Sequence, residues 1–100
     1  MDITVLKIAK RFKEEAYDVF KPKEVYLFGS YVRGTQRYES DIDIAFVYEE
    51  YHSDTYLEDL AKLWKLAHKV DIRIEPIILE EKHDPSGFLS EIKKHGIEII

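Results

Sequence analysis

Two aspartates set two apart in an otherwise apolar stretch carry the strongest chemical signal in the chain: Ser40-Asp41-Ile42-Asp43-Ile44-Ala45. Side chains at i and i+2 of a strand point the same way, so Asp41 and Asp43 share one face while Ile42 and Ile44 share the other. Their Cα atoms then stand about 6.5–7 Å apart, from a rise of roughly 3.3 Å per residue. That separation lets two carboxylates converge on cations about 3.5–4 Å apart, the arrangement of two-metal phosphoryl transfer. A solvated acidic face on a half-buried strand would also place them so. Aspartate is a poor strand former, however, and two of them inside an apolar run call for a reason.

Two further groups have matching chemistry. Phe28-Gly29-Ser30 closes an apolar run, and Ser30 can open a short helical turn through Arg33. Glycine lets a phosphate approach the backbone, while a serine hydroxyl beside free N–H groups makes an anion cradle. Arg33 would add a charge-assisted contact. Downstream, in Val70-Asp71-Ile72-Arg73-Ile74-Glu75, Asp71, Arg73 and Glu75 alternate with apolar residues. If this strand neighbours the Asp41–Asp43 strand, Asp71 or Glu75 completes a carboxylate triad; otherwise the three form a surface ion-pair ladder.

The elements that must position these groups follow from periodicity. Val5, Ala9, Phe12, Ala16 and Val19 recur at steps of four and three, predicting a helix from Asp2 to Phe20, capped by Asp2 and stopped by Pro22. Val25–Phe28 and Ile42–Tyr48 are strands. Ser53–Lys69 is a helix with Asp54 or Thr55 as cap, a Thr55/Glu58 capping box, and an apolar face of Leu57, Leu60, Ala61, Trp64 and Ala67. Val70–Leu79 is a third strand, in which Pro76 marks an edge or bulge. Pro85 opens a short helix through Phe88, Leu89 and Ile92 that ends at Gly96, and Ile97–Ile100 adds a last strand. The order α-β-α-β-α-β predicts an α/β fold, one sheet covered by helices, as a single domain over 1–100.

Composition narrows the function classes. Fifteen Lys and Arg against twenty Asp and Glu give a net charge of -5, so binding of nucleic acid by the chain alone is not expected, although a local groove could still be basic. With no cysteine there is no disulfide framework and no thiolate nucleophile or metal ligand. No apolar run approaches the roughly 20 residues that span a membrane, and Met1-Asp2-Ile3-Thr4 does not open a secretory signal. A cytoplasmic location is expected. The four histidines, at 52, 68, 83 and 95, lack metal-site spacing and are expected at the surface or at helix ends. Tyr48, Tyr51 and Tyr56 could line a nucleotide base, although packing or a partner contact is the simpler use, and Trp64 is expected in the core.

Taken together, Gly29-Ser30, ten residues, then Asp41-x-Asp43 resembles the pattern of the minimal nucleotidyltransferases (MNT) of the DNA polymerase β superfamily. The intervening Arg33-Gly34, Arg37 and Ser40 also resemble that family, and the likeness runs the length of the chain. The resemblance implies a mixed sheet covered by helices and a hydroxyl that attacks the α-phosphorus of a nucleoside triphosphate. It places two Mg²⁺ ions and the triphosphate on Asp41 and Asp43, the third carboxylate on Asp71 rather than Glu75, and the terminal phosphates on Gly29 and Ser30. Arg33 and Arg37 would contact phosphate or hold the loop. Family members of this size resemble the antitoxin half of HEPN/MNT pairs, which transfers AMP from ATP to a tyrosine of a helical HEPN ribonuclease. Two other functions fit the same residues. One is a non-catalytic antitoxin acting by contact; the other is a small-molecule nucleotidyltransferase that completes its pocket by homo-oligomerising or pairing.

Overall fold

The computed structural model describes residues 2–34 and 40–100. Its elements are α1 (Ile3–Phe20), β1 (Glu24–Phe28), α2 (Ser30–Arg33), β2 (Ile42–Tyr48), α3 (Tyr56–Val70), β3 (Ile74–Glu80), α4 (Phe88–His95) and β4 (Ile97–Glu98). The three helices and four strands expected from the sequence are all present with one further helix, α2, because the turn after Gly29 forms a helical turn. The strands make one mixed sheet in the order β3-β2-β1-β4. β1 is antiparallel to β2 and β4, whereas β2 and β3 run parallel through the α3 crossover.

Strand periodicity divides the core in two. Val25, Leu27, Ile42, Ile44, Phe46, Ile74 and Ile78 face α1 and α3, where Phe12 stacks on Phe46 at 5.2 Å between ring centroids. Tyr26, Ala45 and Val47 face the other way, under Leu89 and Ile92 of α4. The odd-numbered residues of β2, Asp43 among them, therefore belong to the α4 side. Pro76 is fully buried on β3, an edge strand, where its missing N–H costs no ladder bond to a second neighbour.

Helix ends follow local chemistry. The Asp2 carboxylate accepts from the backbone N–H of Thr4 at 2.8 Å. α1 stops at Lys21, which takes a left-handed φ of 43° just before Pro22. Five expectations are corrected. Val19 is exposed and Phe20 is buried in its place, against Phe46. On α3 the buried face is Leu63 and Ala67, flanked by Leu60, Leu66 and Val70, while Leu57 and Ala61 face solvent. Trp64 is only partly buried and meets His68 edge-on. The capping box does not form either: Asp59 accepts from Ser53, Thr55 and Tyr51, drawing the loop before α3 onto its first turn. Finally, Pro85 lies in a turn ahead of α4, whose first N–H groups are satisfied by Asp84.

Among the described residues no helix is long and apolar enough to cross a membrane. All four histidines are exposed, as expected.

The setting of α3 about its axis can be measured. In chemical denaturation Leu63→Ala should cost about 2–5 kcal/mol, and Leu57→Ala no more than about 0.5 kcal/mol. Equal losses would contradict this orientation of the helix.

Candidate active site

The antiparallel register of β1 and β2 sets Phe28 opposite Asp43, so the chain reaches Gly29 beside the Asp43 carboxylate. Gly29 has φ 84° and ψ -150°, which a side chain rarely tolerates. A Cβ there would overlap Asp43 Oδ2 and lie 3.1 Å from Cγ. Glycine is thus required twice, by the backbone and by the carboxylate. Ser30 begins α2, and the N–H groups of Val32 and Arg33 both donate to the Gly29 carbonyl at 3.1 Å. Arg37 lies outside the described residues.

The parallel pairing of β2 with β3 supplies the third carboxylate. Asp43 and Glu75 are register partners, and strand alternation sends both to the α4 side of the sheet. Asp43 is pushed up to about 6 by burial first, then by the charges of Glu75 and Asp41, with Arg33 opposing. Glu75 is also raised, by burial, by the Asp41 charge and by a hydrogen bond with Asp41. One end of the sheet therefore gathers Asp41, Asp43 and Glu75 beside Gly29 and Ser30, with Arg33 as the cation facing them.

Asp71 is placed differently from the expectation. β3 begins at Ile74, not Val70, and Asp71 is the residue that ends α3. Its carboxylate is gripped by Arg73, whose backbone N–H (2.8 Å) and Nε (3.0 Å) reach Oδ1 while Nη2 (2.9 Å) reaches Oδ2. Those hydrogen bonds hold Asp71 below the usual carboxylate range. Arg73 then uses Nη1 to reach the hydroxyl of buried Tyr31 at 3.2 Å, and its carbonyl accepts from Ile42 N–H at 2.8 Å. Asp71 thereby ties α3 to the first turn of α2 and the start of β2. The sequence offered Glu75 as the alternative to Asp71, because the two alternate onto one face of the expected strand, and only the pairing of β3 with β2 separates them.

Among the described residues no three carboxylates or imidazoles close on a single metal position. The donor set nonetheless fits Mg²⁺, which takes oxygen ligands and is usually held by one or two carboxylates plus substrate phosphates rather than by a protein cage. Clustered carboxylates whose proton affinity is raised by one another are the environment in which such a cation is favourable.

Beside the carboxylates lies a cleft of about 450 Å³ between α2 and α4, lined by Phe28, Gly29, Val32 and Arg33 on one side and by Phe88, Glu91, Ile92, His95 and Gly96 on the other. Tyr48, Tyr51 and Tyr56 stand at the opposite end of β2, roughly 17 Å from Asp43 by strand rise. There the Tyr48 hydroxyl donates to the Phe20 carbonyl and the Tyr51 hydroxyl to Asp59, so these rings pack and do not approach the site.

Residues 7–100 match the family model described as "Polymerase beta, Nucleotidyltransferase". The chain belongs to this nucleotidyltransferase family. It is 35% identical over 101 residues to a Methanocaldococcus jannaschii protein named "Putative protein adenylyltransferase MJ0141", covering 95% of this chain and 98% of that one. A second protein of that organism, "Putative protein adenylyltransferase MJ1379", is 32% identical over 81 residues, covering 81% of each. Among solved structures, a Sulfolobus solfataricus protein described as a "putative nucleotidyltransferase" superposes with a TM-score of 0.65 at 28% identity, covering 96% of this chain and 79% of its own. A chain from a structure described as "the toxin-antitoxin with AMP-PNP" gives 0.60 at 28% identity, covering 91% and 72%. The nucleotidyltransferase fold and enzyme class expected from the spacing of Gly29-Ser30 and Asp41-x-Asp43 are those of the family.

The charge cluster has a consequence for stability. The native pKa of Asp43, about 6, lies above the unfolded carboxylate value of about 4, so the native state binds that proton more tightly. Ionised Asp43 destabilises the fold, and the penalty grows as pH rises from about 4 through about 6. With EDTA present, Asp43→Asn should melt at higher temperature than wild type at pH 7.5, the gap closing toward pH 4. A gap independent of pH would contradict the environment described for Asp43.

Proposed function

We propose that this chain is a Mg²⁺-dependent adenylyltransferase that moves AMP from ATP to a hydroxyl of a partner protein, and that it is the antitoxin of a HEPN ribonuclease toxin. The observation that carries the reading is the cluster of Asp41, Asp43 and Glu75 at one end of the sheet, with the Asp43 carboxylate packed so closely on Gly29 that a Cβ there would overlap it. The adenylyltransferase names of its relatives support protein AMP transfer, and the AMP-PNP-bound toxin-antitoxin neighbour supports both the nucleotide and the pairing. The HEPN identity of the toxin rests on the resemblance of the Gly29-Ser30 and Asp41-x-Asp43 spacing to HEPN/MNT antitoxins.

In this mechanism Gly29 and Ser30 hold the terminal phosphates, and Arg33 opposes the charge that the triphosphate brings to Asp43. Arg37 is the second cation proposed for phosphate. Asp41 and Asp43 would hold Mg²⁺, with Glu75 completing the set; when bound, the ion offsets the triphosphate charge and polarises the α-phosphate. The acceptor oxygen bonds to the α-phosphorus as the bond to the bridging oxygen breaks and pyrophosphate leaves. Glu75 takes the hydroxyl proton, a role suited to a carboxylate whose proton affinity burial and Asp41 have raised. Asp71, occupied by Arg73, is assigned to holding α2 and β2 in place. Its proposed site of action is the cytoplasm, and its proposed acceptor is a protein rather than a growing polymer.

Two experiments test this. ATP with Mg²⁺ at about 100-fold over Kd should add about 2.7 kcal/mol of stability, on the order of 10–20 °C in Tm for a domain of this size; Asp43→Asn should abolish the shift. Intact-mass spectrometry of a co-expressed HEPN partner should show whole AMP increments with wild type and none with Asp43→Asn. A tight complex with an unmodified partner would favour inhibition by contact.

A further inference from the structure

The catalytic residues account for the phosphates and the reacting centre but leave the nucleoside without a place. We infer that the cleft between α2 and α4 is the nucleoside subsite, with the base stacked on Phe88 and the triphosphate leaving across Gly29 toward Asp43; this rests on the nucleotidyltransferase reading of that site. Four observations support it.

Continuity comes first, because Gly29 and Arg33 line the cleft and also belong to the carboxylate site. Size is the second, since about 450 Å³ falls in the range of roughly 300–1,000 Å³ usual for small-ligand sites. Third, the lining has the chemistry a nucleobase requires. Phe88 is 46% exposed, although aromatic, and is braced edge-on by Phe28 at 5.8 Å with an 84° angle between the rings. Val32 and Ile92 give apolar walls. Glu91 and His95, an i,i+4 pair at 3.4 Å, put a carboxylate and an imidazole at the rim, where ring nitrogens and a ribose can hydrogen bond. Fourth, among the described residues the other exposed or half-buried rings are elsewhere: the tyrosine cluster is at the far end of β2, Tyr17 is on α1, and Trp64 sits on α3, across the sheet from α4. Of the aromatic side chains among the described residues, only Phe28 and Phe88 line a cavity that opens onto Gly29.

Calorimetric titration of the full chain with Mg²⁺ and two ligands separates the subsites: ATP, and inorganic tripolyphosphate, which has the phosphates and no nucleoside. Phe88→Ala should weaken ATP about tenfold or more, since stacking on an aromatic side chain is worth about 1–3 kcal/mol per base, and should leave tripolyphosphate unchanged. Phe88→Trp should keep the ATP affinity, because a flat ring is retained. Phe88 is half exposed, so an unchanged Tm would confirm that both variants fold. Unchanged ATP affinity in Phe88→Ala, or equal losses for both ligands, would overturn the inference while leaving the catalytic site intact. Asp43→Asn serves as the second arm: if wild type and Asp43→Asn bind both ligands equally, or wild type binds neither, the nucleotidyltransferase site itself is refuted and the subsite with it.

Discussion

Everything at the working end of this protein depends on one close approach, that of the Asp43 carboxylate to the α-carbon of Gly29. The register of β1 against β2 fixes it, because Phe28 must lie opposite Asp43 for Leu27 to face Ile44 and Val25 to face Phe46 in the core. A slip of one residue would turn the apolar residues of β2 to the wrong face of the sheet and carry Asp43 into the α1/α3 core. Core packing and site geometry are therefore the same constraint. The hydrophobic side of the strand holds the acidic side in place.

That arrangement places repelling charge in a half-buried corner, and the rest of the fold absorbs it. Asp43 and Glu75 face each other across the parallel pair, and Asp41 adds to both. Among the described residues, Arg33 is the cation that opposes their effect on Asp43. The nearby Asp71–Arg73 pair, by contrast, is self-contained: the carboxylate accepts three hydrogen bonds from one arginine, and both partners stabilise each other's charged form. A carboxylate so satisfied is a poor cation ligand and a good strut. Through Tyr31 and Ile42 that strut reaches the two elements that carry the Gly29-Ser30 turn and the aspartates.

The sequence made the site more legible than the fold that frames it. Asp41-x-Asp43 in an apolar run and Gly29-Ser30 after another are local signals, and the structure sets them against each other through strand register. What periodicity missed was rotation and boundary. Leu57 belongs to the same helical pattern as Ala67 but is exposed while Leu63 is fully buried, so pattern without tertiary context chose a stripe rotated from the one that packs. Asp71 was misplaced because Val70-Asp71-Ile72-Arg73 alternates like a strand. In three dimensions Arg73 folds back onto Asp71 and makes a turn, which period-2 patterning cannot distinguish from extension. Glu75 was legible only through pairing, since nothing in its immediate neighbours marks it.

The strand order also gives the site a direction. In the sequence β3-β2-β1-β4, Asp43 lies on the middle strand of three, with Glu75 to one side and the α2/α4 cleft beyond β1 on the other. A nucleotide whose base fills the cleft brings its phosphates over Gly29 to Asp43 from the β1 side. Under the proposed function the acceptor hydroxyl would then come from the β3 side to attack in line, where Glu75 would take its proton. β3 is an edge strand, so that approach leads to the outside of the sheet. An open edge has room for a bulky acceptor such as a loop of a folded protein, which is the class of acceptor that the proposed function takes.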